Sequence, residues 1–415
     1  MTPFTLALTE LEVDIAIVGA GPAGCAAALS LADSGLSVVI LDKDKFPRDK
    51  ICGDALSADV VNQLYKLNRE IGDSFLRTTR KHQAKGIRFY APNGNPLDIS
   101  FQQKQSKPKG GFVMERFNFD HFIMEQVRAE ANCRILEGQK ISGITVLPDA
   151  VELGTPAYAI RAKMALGADG ANSILNRTLV PAKIDRNHHS GGLRQYFENV
   201  RGMQGEGYIE LHFYKEILPG YLWIFPLPNN RANVGIGMLS RKISERNIDL
   251  KATLHQLLKG HPNLKFRFKD ATPLETPKGF GLPLGSKKRK LSGDRFLLLG
   301  DAASLIDPFT GEGIGNAIRS GRLAAAHCRA AFKENRFDAD FNLRYDNAIY
   351  KAVWKEMQVS RQLQHLLKFP WLFNFIVKKA SRNTSVQLLL TAMLDDIDLK
   401  RELAKPGFYL KLFFR

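Results

Sequence analysis

The sequence predicts an α/β protein, in which a parallel sheet flanked by helices is interrupted by a mixed β-sheet and followed by a helical segment. Three observations predict this architecture. An apolar run at 13–18 passes through a glycine-rich turn into an alanine-rich stretch, as a strand followed by a helix does. Residues 191–240 form short apolar runs that are typical of strands. Residues from 336 onward are rich in Leu, Phe, Lys and Arg, and we expect amphipathic helices there.

The composition is that of a basic globular protein. Its 415 residues suffice for two or three domains, and 44% hydrophobic with 24% charged residues exclude a disordered chain. Lysine and arginine outnumber aspartate and glutamate by 59 to 42, so the net charge of +17 predicts an anionic partner surface. Membrane lipid fits that charge. No nucleic acid partner is expected, because the sequence holds no zinc-finger, RNA-recognition or recognition-helix motif.

Cysteine usage and the N-terminus indicate a cytoplasmic protein. Cys25, Cys52, Cys133 and Cys328 form no CxxC pair, which favours reduced thiols. The N-terminal residues lack the basic region, apolar core and cleavage site of a signal peptide. No window reaches the roughly 18 to 20 apolar residues that a transmembrane helix needs. Any membrane contact is therefore expected to be peripheral, at the inner face.

The first unit of the chain carries a dinucleotide-binding pattern. The strand at 13–18 leads directly into Gly19-Ala-Gly21-Pro-Ala-Gly24 and a helix, and a second strand at 37–41 ends at an acidic residue. The glycines allow a tight turn, close approach of pyrophosphate and helix packing, and the acid suits a ribose hydroxyl. We predict cofactor contacts at Gly19, Gly21, Pro22, Ala23, Gly24, Asp42 and Lys43.

Helices and short strands are predicted to follow this unit. Helices are expected at 58–67 and 120–131, and the alternation at 135–166 predicts a small antiparallel layer. That layer ends at Asp169 and Gly170, which again place an acid and a glycine in a loop after a strand.

A broad sheet that covers a ligand is predicted from residue 191 onward. Strands are expected at 208–214, 220–226 and 232–239, and a helix at 244–260 with Ser244 as its N-cap. Because side chains alternate along a strand, three aromatic residues share one face and can form the wall of an elongated apolar pocket. These residues are Tyr221, Trp223 and Phe225.

A third glycine-rich element predicts a flavin site. The apolar strand at 295–299 delivers an acid, and glycines then allow the backbone to approach a flat ring before a helix at 314–326. The positive N-terminal end of that helix would favour the negative charge of a reduced flavin. The predicted contacts are Asp301, Pro308, Gly311, Gly313 and Ile314.

Several of these stretches resemble known flavoproteins. GAGPAG at 19–24, GADGANS at 167–173 and GDAASLIDPFTGEGIGNAI at 300–318 resemble the FAD fingerprints of proteins related to para-hydroxybenzoate hydroxylase. Within that superfamily, FPRDKICGDALS at 46–57 and PGYLWIFPLPNNRANVGIGM at 219–238 are similar to the geranylgeranyl reductase family.

The resemblance implies FAD bound in an extended conformation and reduction of isoprenoid double bonds in a lipid, quinone or prenyl diphosphate. It implies that Asp301 lies at the ribityl chain, that Gly313 and Ile314 face the isoalloxazine, and that Arg116 lies at the phosphates. The expected domains are a discontinuous Rossmann-like FAD-binding domain (1–84, 112–182 and 286–335), a substrate-binding domain (85–111 and 183–285) and a helical basic C-terminal segment (336–415).

The resemblance also places Cys52 and Gly53 beside the flavin, where a thiol can position the alkene or donate a proton. We therefore take Cys52, Tyr221 and Trp223 as catalytic candidates. Each candidate has a structural alternative. A cysteine also fills small buried spaces, the aromatic residues suit an ordinary sheet core, and Arg116 suits a surface ion pair.

No metal site is expected. His188 and His189 have no spaced carboxylate or cysteine partner, so they are interpreted as loop histidines. The chain has no second strand–GxGxxG–helix unit, so the electron donor is expected to be external. NADPH and a ferredoxin-like redox protein are both open alternatives.

Two other functions remain open from the sequence. The same fold supports a flavin monooxygenase or a halogenase, although the aromatic stretch at 221–226 departs from the WxWxIP element of halogenases. A lipid-binding flavoprotein without turnover is the alternative of another class.

The C-terminal segment predicts contact with an anionic membrane. From residue 332 onward it carries 15 basic and 9 acidic residues, a net charge of +6. Aromatic residues beside lysines, as at 368–379 and 405–415, suit an interfacial helix on anionic lipid. The alternative for most of the segment is a helical cap on the cofactor domain.

Overall fold

The structure is a computed structural model that describes residues 8–101, 111–129, 133–180, 183–203 and 207–381. In chain order the strands are β1 (Thr9–Val18), β2 (Val38–Leu41), β3 (Ala55–Leu56), β4 (His82–Gln83), β5 (Gly86–Tyr90), β6 (Pro96–Ser100), β7 (Phe112–Val113), β8 (Cys133–Leu136), β9 (Gly143–Val146), β10 (Val151–Gly154), β11 (Tyr158–Gly167), β12 (His189–Glu198), β13 (Tyr208–His212), β14 (Tyr221–Leu227), β15 (Arg231–Leu239), β16 (Thr272–Pro273), β17 (Lys278–Pro283), β18 (Ser292–Gly293) and β19 (Phe296–Leu298).

The helices alternate with these strands and then dominate the C-terminal part of the described chain. They are α1 (Pro22–Leu31), α2 (Ala58–Leu67), α3 (Arg69–Arg77), α4 (Arg116–Arg128), α5 (Ile174–Leu179), α6 (Ser240–Glu245), α7 (Leu250–Gly260), α8 (Pro262–Lys265), α9 (Ile314–Glu334), α10 (Ala339–Leu366) and α11 (Pro370–Ala380). Short 3-10 turns occupy Arg186–His188, Lys215–Ile217 and Gly300–Ala303.

The first sheet has the order β18-β19-β11-β1-β2-β8, and β10 and β9 extend it from β11. The pairs β19–β11, β11–β1, β1–β2 and β2–β8 are parallel. The central strand β1 is buried over its last four residues, as expected where helices cover both faces. Helices α1 and α9 belong to this covering layer. They pack so closely that a Cβ on Gly321 of α9 would lie 2.3 Å from the carbonyl oxygen of Ala23 in α1. The first sheet with its helices confirms the predicted α/β class.

The second sheet has the order β16-β12-β15-β14-β13-β5-β6, and β17 pairs with β12. It is antiparallel apart from the β13–β5 pair, so it is a mixed sheet as predicted. Its two faces bury different residues: Tyr221 and Trp223 belong to one apolar cluster, and Leu222 and Ile224 to another. The second cluster includes Leu254 of α7, so α7 covers the face opposite the aromatic residues.

A small third sheet has the order β3-β7-β4. The helices α10 and α11 follow, and Phe373 of α11 packs on Phe213 with ring centroids 4.7 Å apart. No helix within the described residues combines the length and apolar character that crossing a bilayer requires. The predicted membrane contact at 405–415 lies outside the described residues.

One secondary-structure prediction was confirmed in part, and one was wrong. The antiparallel layer expected at 135–166 is present where β10 pairs with β9 and with β11, but β11 also pairs in parallel with β1, and β8 is a parallel strand of the first sheet. The helix expected at 244–260 is broken into α6 and α7. Asp249, not Ser244, caps α7, and its side chain accepts the Lys251 and Ala252 amides at 2.8 and 3.0 Å. Asp249 is a second capping residue inside the apolar pattern, and a new helix begins after it in place of one continuous helix.

Candidate functional site

A cavity of about 800 Å³ lies where the ends of β1 and β2 meet the aromatic face of the second sheet. One part of its wall is polar and built from the three glycine-rich elements. The other part is apolar and comes from the second sheet, where it includes Ile209, Leu211, Phe213, Tyr221, Trp223 and Phe225. A cavity with these two halves can hold a polar cofactor beside an apolar ligand.

The turn between β1 and α1 has the geometry of a phosphate site. Gly19 has a φ of +103°, and a Cβ there would lie 2.4 Å from the Ala168 carbonyl oxygen. A Cβ on Gly24 would lie 1.9 Å from the Gly19 carbonyl oxygen, so both positions require glycine. Gly21 differs, because the nearest atom to its Cβ position is the Arg48 guanidinium at 3.9 Å. The space at Gly21 therefore lies open, in front of a helix start that no side chain caps.

Asp42 stands at the end of β2, beside this turn. Its carboxylate accepts the Ala20 amide at 2.9 Å and the Asp44 amide at 3.0 Å, and Arg48 lies 3.6 Å away. These contacts fix the carboxylate at the edge of the cavity, where a ribose hydroxyl can reach its remaining lone pairs. The neighbouring Lys43 is exposed at the cavity rim.

Asp169 and Gly170 form the second polar element. Asp169 Oδ2 accepts the Ile174 amide at 2.6 Å, whereas Asp169 Oδ1 is buried and has no hydrogen-bond partner among the described residues. Burial raises the pKa of this carboxyl. Gly170 has a φ of +76° and open space at its Cβ position. A buried acceptor without a partner and open backbone at two glycine turns fit a bound dinucleotide such as FAD.

The third element is the turn between β19 and α9, which we call the flavin turn. Asp301 follows β19 and pairs with Lys50 at 3.4 Å. Asp307 holds the turn, because its Oδ1 accepts the Phe309 and Thr310 amides at 2.9 and 2.8 Å. Gly311 has a φ of +72°, and Pro308 is buried.

Glu312 closes the start of α9, next to Gly313 and Ile314. Its Oε1 accepts the Gly315 amide at 2.7 Å. Burial and the nearby Asp59 raise the pKa of Glu312 to about 7. This carboxyl therefore lies at the helix end that was predicted to face the flavin ring.

Cys52 and Gly53 lie on the loop before β3, and a hydrogen-bond network fixes this loop to the second sheet. Asn233 of β15 donates from Nδ2 to the Cys52 carbonyl oxygen at 2.8 Å and to Asp54 Oδ2 at 2.7 Å. The Trp223 indole donates to Asn233 Oδ1 at 2.9 Å. Trp223 lies on β14, which we call the aromatic strand because it carries Tyr221, Trp223 and Phe225. The backbone of the Cys52 loop is thus held by the Asn233 side chain, which the aromatic strand orients.

Asp54 is the buried centre of this network. It is fully buried, has a φ of +67°, and accepts hydrogen bonds from Tyr196 Oη at 2.6 Å and from the Arg116 amide at 3.2 Å. Burial raises the pKa of Asp54 to about 7, against the opposing effect of the donors Tyr196 and Asn233. A carboxyl in this state is poised to change its charge near neutral pH.

The Cys52 thiol is half-buried at the cavity wall. Burial raises its pKa, whereas the Arg116 guanidinium lowers it. Arg116 is itself buried and binds Asp120 through two contacts, Nε–Oδ1 at 2.6 Å and Nη2–Oδ2 at 2.7 Å. The expected alternative of a surface ion pair is therefore wrong, because this pair is buried. The thiol stays protonated at neutral pH, next to a cation that can stabilise its thiolate.

The aromatic strand contacts both the Cys52 loop and the flavin turn. A Cβ on Gly53 would lie 3.0 Å from the Phe225 ring, so this glycine permits close packing. The Tyr221 hydroxyl donates to the Thr310 carbonyl oxygen, and burial raises the Tyr221 pKa. The polar atoms of Tyr221 and Trp223 thus bond to protein groups, while their rings line the cavity.

Sequence reasoning missed several residues of the site. Asp54 follows Cys52-Gly53 within the stretch at 46–57 that is similar to the reductase family, and an acid at that position was a usable signal. Asn233 likewise lies inside the stretch at 219–238 that is similar to the reductase family, whereas Tyr196, on β12, lies outside every such stretch. The histidines at 188 and 189 bond to Ser286 and Ser240 at 2.7 and 2.8 Å, outside the cavity wall.

Two family models match the chain. An FAD-binding domain matches residues 12–198, which contain the first two glycine-rich elements. A geranylgeranyl reductase catalytic domain matches residues 191–272, which contain the aromatic strand and Asn233.

Curated relatives match most of the chain. The digeranylgeranylglycerophospholipid reductase of Methanosarcina acetivorans is 31% identical, over 83% of this chain and 80% of its own length. The menaquinone reductase of Mycolicibacterium smegmatis is 29% identical, over 93% of this chain and 92% of its own length.

Solved structures share the fold. A geranylgeranyl bacteriochlorophyll reductase-like protein from Thermoplasma acidophilum aligns with a TM-score of 0.78 and 24% identity, over 95% of this chain and 99% of that one. The halogenase PltM in complex with phloroglucinol and FAD aligns with a TM-score of 0.71 and 18% identity, over 97% of this chain and 93% of that one. The halogenase is a relative in fold alone.

Proposed function

The chain belongs to the geranylgeranyl reductase family of FAD-dependent oxidoreductases, and from this premise we propose that it saturates isoprenoid double bonds of a lipid, quinone or prenyl diphosphate. One observation carries the proposal. The Cys52 loop, the flavin turn and the aromatic face of β14 converge on one cavity, through the Gly53–Phe225 packing and the Tyr221–Thr310 hydrogen bond. A protonated thiol therefore lies between the expected flavin position and an apolar wall.

The residues that would hold FAD are those of the three glycine-rich elements. The open backbone at Gly21 and the start of α1 suit the pyrophosphate, and Asp42 suits the adenosine ribose. Asp301 suits the ribityl chain, and the backbone at Gly313 and Ile314 suits the ring. When bound and reduced by the external donor, FAD would supply the hydride for one carbon of the double bond.

The substrate would bind along the apolar wall. Burial of a prenyl chain contributes roughly 0.8 kcal/mol per methylene-sized group, so a long chain needs few polar contacts. The rings of Tyr221, Trp223 and Phe225 exclude water and orient the alkene. Orientation matters because an isolated alkene is a poor electrophile, and the hydride and the proton must reach adjacent carbons.

Cys52 would deliver the proton. Its Sγ–H bond breaks and a C–H bond forms at the carbon that does not receive the hydride, which leaves a thiolate. The Arg116 guanidinium lowers the pKa of Cys52 and so stabilises that thiolate. Solvent then returns a proton to Sγ. Asn233, Trp223 and Asp54 position the loop, and the role of Tyr221 is to join the second sheet to the flavin turn.

Membrane contact and electron supply complete the proposal. Helix α11 packs through Phe373 and the buried Val377, and it exposes Trp371 by 68% and Phe375 by 45% on its other side. Aromatic side chains beside Lys378 and Lys379 suit an anionic lipid surface, and they favour a peripheral position at the inner face of the membrane. The reducing equivalents would come from an external donor, NADPH or a ferredoxin-like protein.

An anaerobic single-turnover experiment tests the reaction. Dithionite-reduced, FAD-loaded protein is mixed with prenyl lipids, and the products are measured by mass spectrometry. We expect mass gains in steps of two hydrogens together with flavin reoxidation. Unchanged lipid masses with the flavin still reduced would refute the proposal.

A further inference from the structure

A second cavity, of about 360 Å³, lies at the C-terminal end of α10 and shares no lining residue with the first. We name it the basic cavity. Its titratable lining residues are His188, Arg241, Lys242, Arg361, His365 and Lys368. Four of these carry a fixed positive charge, and no carboxylate belongs to the lining.

The positive charge of the basic cavity is only partly neutralised. Arg241 and Lys242 share a single carboxylate, Glu245. Arg361 donates to the Ser286 carbonyl oxygen at 3.2 Å. Among the described residues that line the cavity beside Arg361 and Lys368, none is a carboxylate. The lining therefore has a net positive charge and free donor capacity.

Two buried side chains give the basic cavity a fixed frame. His188 is 9% exposed and bonds through Nδ1 to Ser286 Oγ at 2.7 Å, while its Nε2 lies 3.9 Å from Asp185. Gln364 is 6% exposed and donates from Nε2 to the Pro308 carbonyl oxygen at 2.7 Å. Through Gln364 the basic cavity is connected directly to the flavin turn.

A simpler explanation covers only some of these residues. Basic side chains near the end of α10 complement the helix dipole. That effect does not account for Arg241 and Lys242, which come from α6 and line the same cavity. Cations from two separate parts of the chain that line one cavity are typical of an anion site.

We propose that the basic cavity binds a phosphate or diphosphate group. Arginine forks and lysine ammonium groups both match phosphate oxygens, and a doubly charged anion would offset the excess positive charge. The group could belong to a phosphorylated prenyl ligand or to a nicotinamide nucleotide. Phosphate binding itself goes beyond the proposed reductase function, and only the choice between these two sources rests on that function.

Calorimetric titration with inorganic pyrophosphate tests the site. FAD-loaded full-length protein is used, so that the dinucleotide site is filled. The variant Arg361→Gln/Lys368→Gln is compared with Lys251→Gln/Lys259→Gln, which removes the same charge from exposed positions on α7. We expect the first variant to bind pyrophosphate at least about tenfold more weakly, because two charge-assisted contacts are lost, and the control to bind as the wild type does.

Two further titrations identify the source of the phosphate. If the ligand is a prenyl phosphate, the first variant loses affinity for geranyl diphosphate. If it is a nucleotide, the first variant loses affinity for NADP⁺. Equal pyrophosphate affinity in wild type and both variants overturns the proposal, and the FAD absorbance spectrum of each variant shows whether it has folded.

Discussion

Asn233 Nδ2 lies 2.8 Å from the carbonyl oxygen of Cys52, although the two residues are 181 positions apart in the chain. The same amide group reaches Asp54, and its oxygen accepts the Trp223 indole. One side chain therefore links the aromatic strand of the second sheet to the loop that carries the candidate proton donor. The positioning of Cys52 depends on tertiary structure that no local sequence motif specifies.

Asn233→Ala should lower turnover without loss of FAD. The substitution leaves the Cys52 carbonyl and the Trp223 indole without their partner, and a displacement of the loop by about 1 Å costs roughly 100-fold in rate. Single-turnover rates with saturating prenyl lipid measure the effect, and flavin absorbance reports cofactor content. Asn118→Ala, on α4 outside the cavity wall, is the control. A variant rate equal to that of the wild type would refute the positioning role.

Cys52→Ala should slow alkene reduction by roughly 100-fold or more, the usual contribution of a positioned acid. Reduction of the flavin by dithionite should be unchanged, because it does not involve the thiol. Stopped-flow absorbance separates the two steps. Cys133→Ala, on β8, is the control for a cysteine outside the cavity wall. Unimpaired reoxidation of the flavin by prenyl lipid in Cys52→Ala would remove this cysteine from the mechanism.

The sequence predicted the parts of the site that depend on local backbone chemistry. Gly19 and Gly24 are required because neighbouring backbone lies within 2.4 Å of any added Cβ, and such turns leave a recognisable pattern of glycines. The alternation that places Tyr221, Trp223 and Phe225 on one face also follows from strand geometry alone.

The parts that could not be predicted depend on contacts between distant elements. Asp54 receives donors from β12 and β15, and Gln364 of α10 reaches the flavin turn. The break between α6 and α7 shows that sequence patterns do not fully predict local structure either. The apolar pattern of a helix continues across Asp249, although the side chain of Asp249 caps α7 and so begins a new helix. Pattern alone does not indicate which of two possible capping residues is used.

Gly21→Val should abolish FAD binding and leave the fold intact. An added Cβ at Gly21 would lie 3.9 Å from its nearest neighbouring atom, in the Arg48 guanidinium, so a valine side chain would extend into the space that the pyrophosphate needs. Gly143→Val is a matched control, because the Cβ position of Gly143 is also open but lies outside the cavity wall. Circular dichroism should show both variants folded, and only Gly143→Val should retain the flavin spectrum. Retention of FAD by Gly21→Val would contradict the assigned site.

Asp54→Asn should change how stability depends on pH. Burial raises the pKa of Asp54 to about 7, above the roughly 3.9 of an unfolded aspartate. The folded state therefore holds this proton more tightly than the unfolded state does. The contribution of the protonated Asp54 to the free energy of unfolding is complete below about pH 4 and is lost as the pH rises through 7. Asparagine does not titrate. Between pH 5 and pH 8 the melting temperature of the wild type should fall relative to that of the variant, and a constant difference would contradict the buried-acid assignment.

Trp371→Ser/Phe375→Ser should weaken binding to anionic vesicles while turnover on detergent-dispersed lipid is retained. The two rings lie one helical turn apart on the exposed side of α11, and burial of each ring in lipid is worth about 1.5–3 kcal/mol. Co-sedimentation with phosphatidylglycerol vesicles should show at least about tenfold weaker partitioning for this variant. Phe266→Ser/Leu274→Ser removes two apolar side chains that are 65% and 44% exposed elsewhere on the surface, and it should bind as the wild type does. Equal losses in both variants would show that general surface hydrophobicity, and not α11, determines membrane binding.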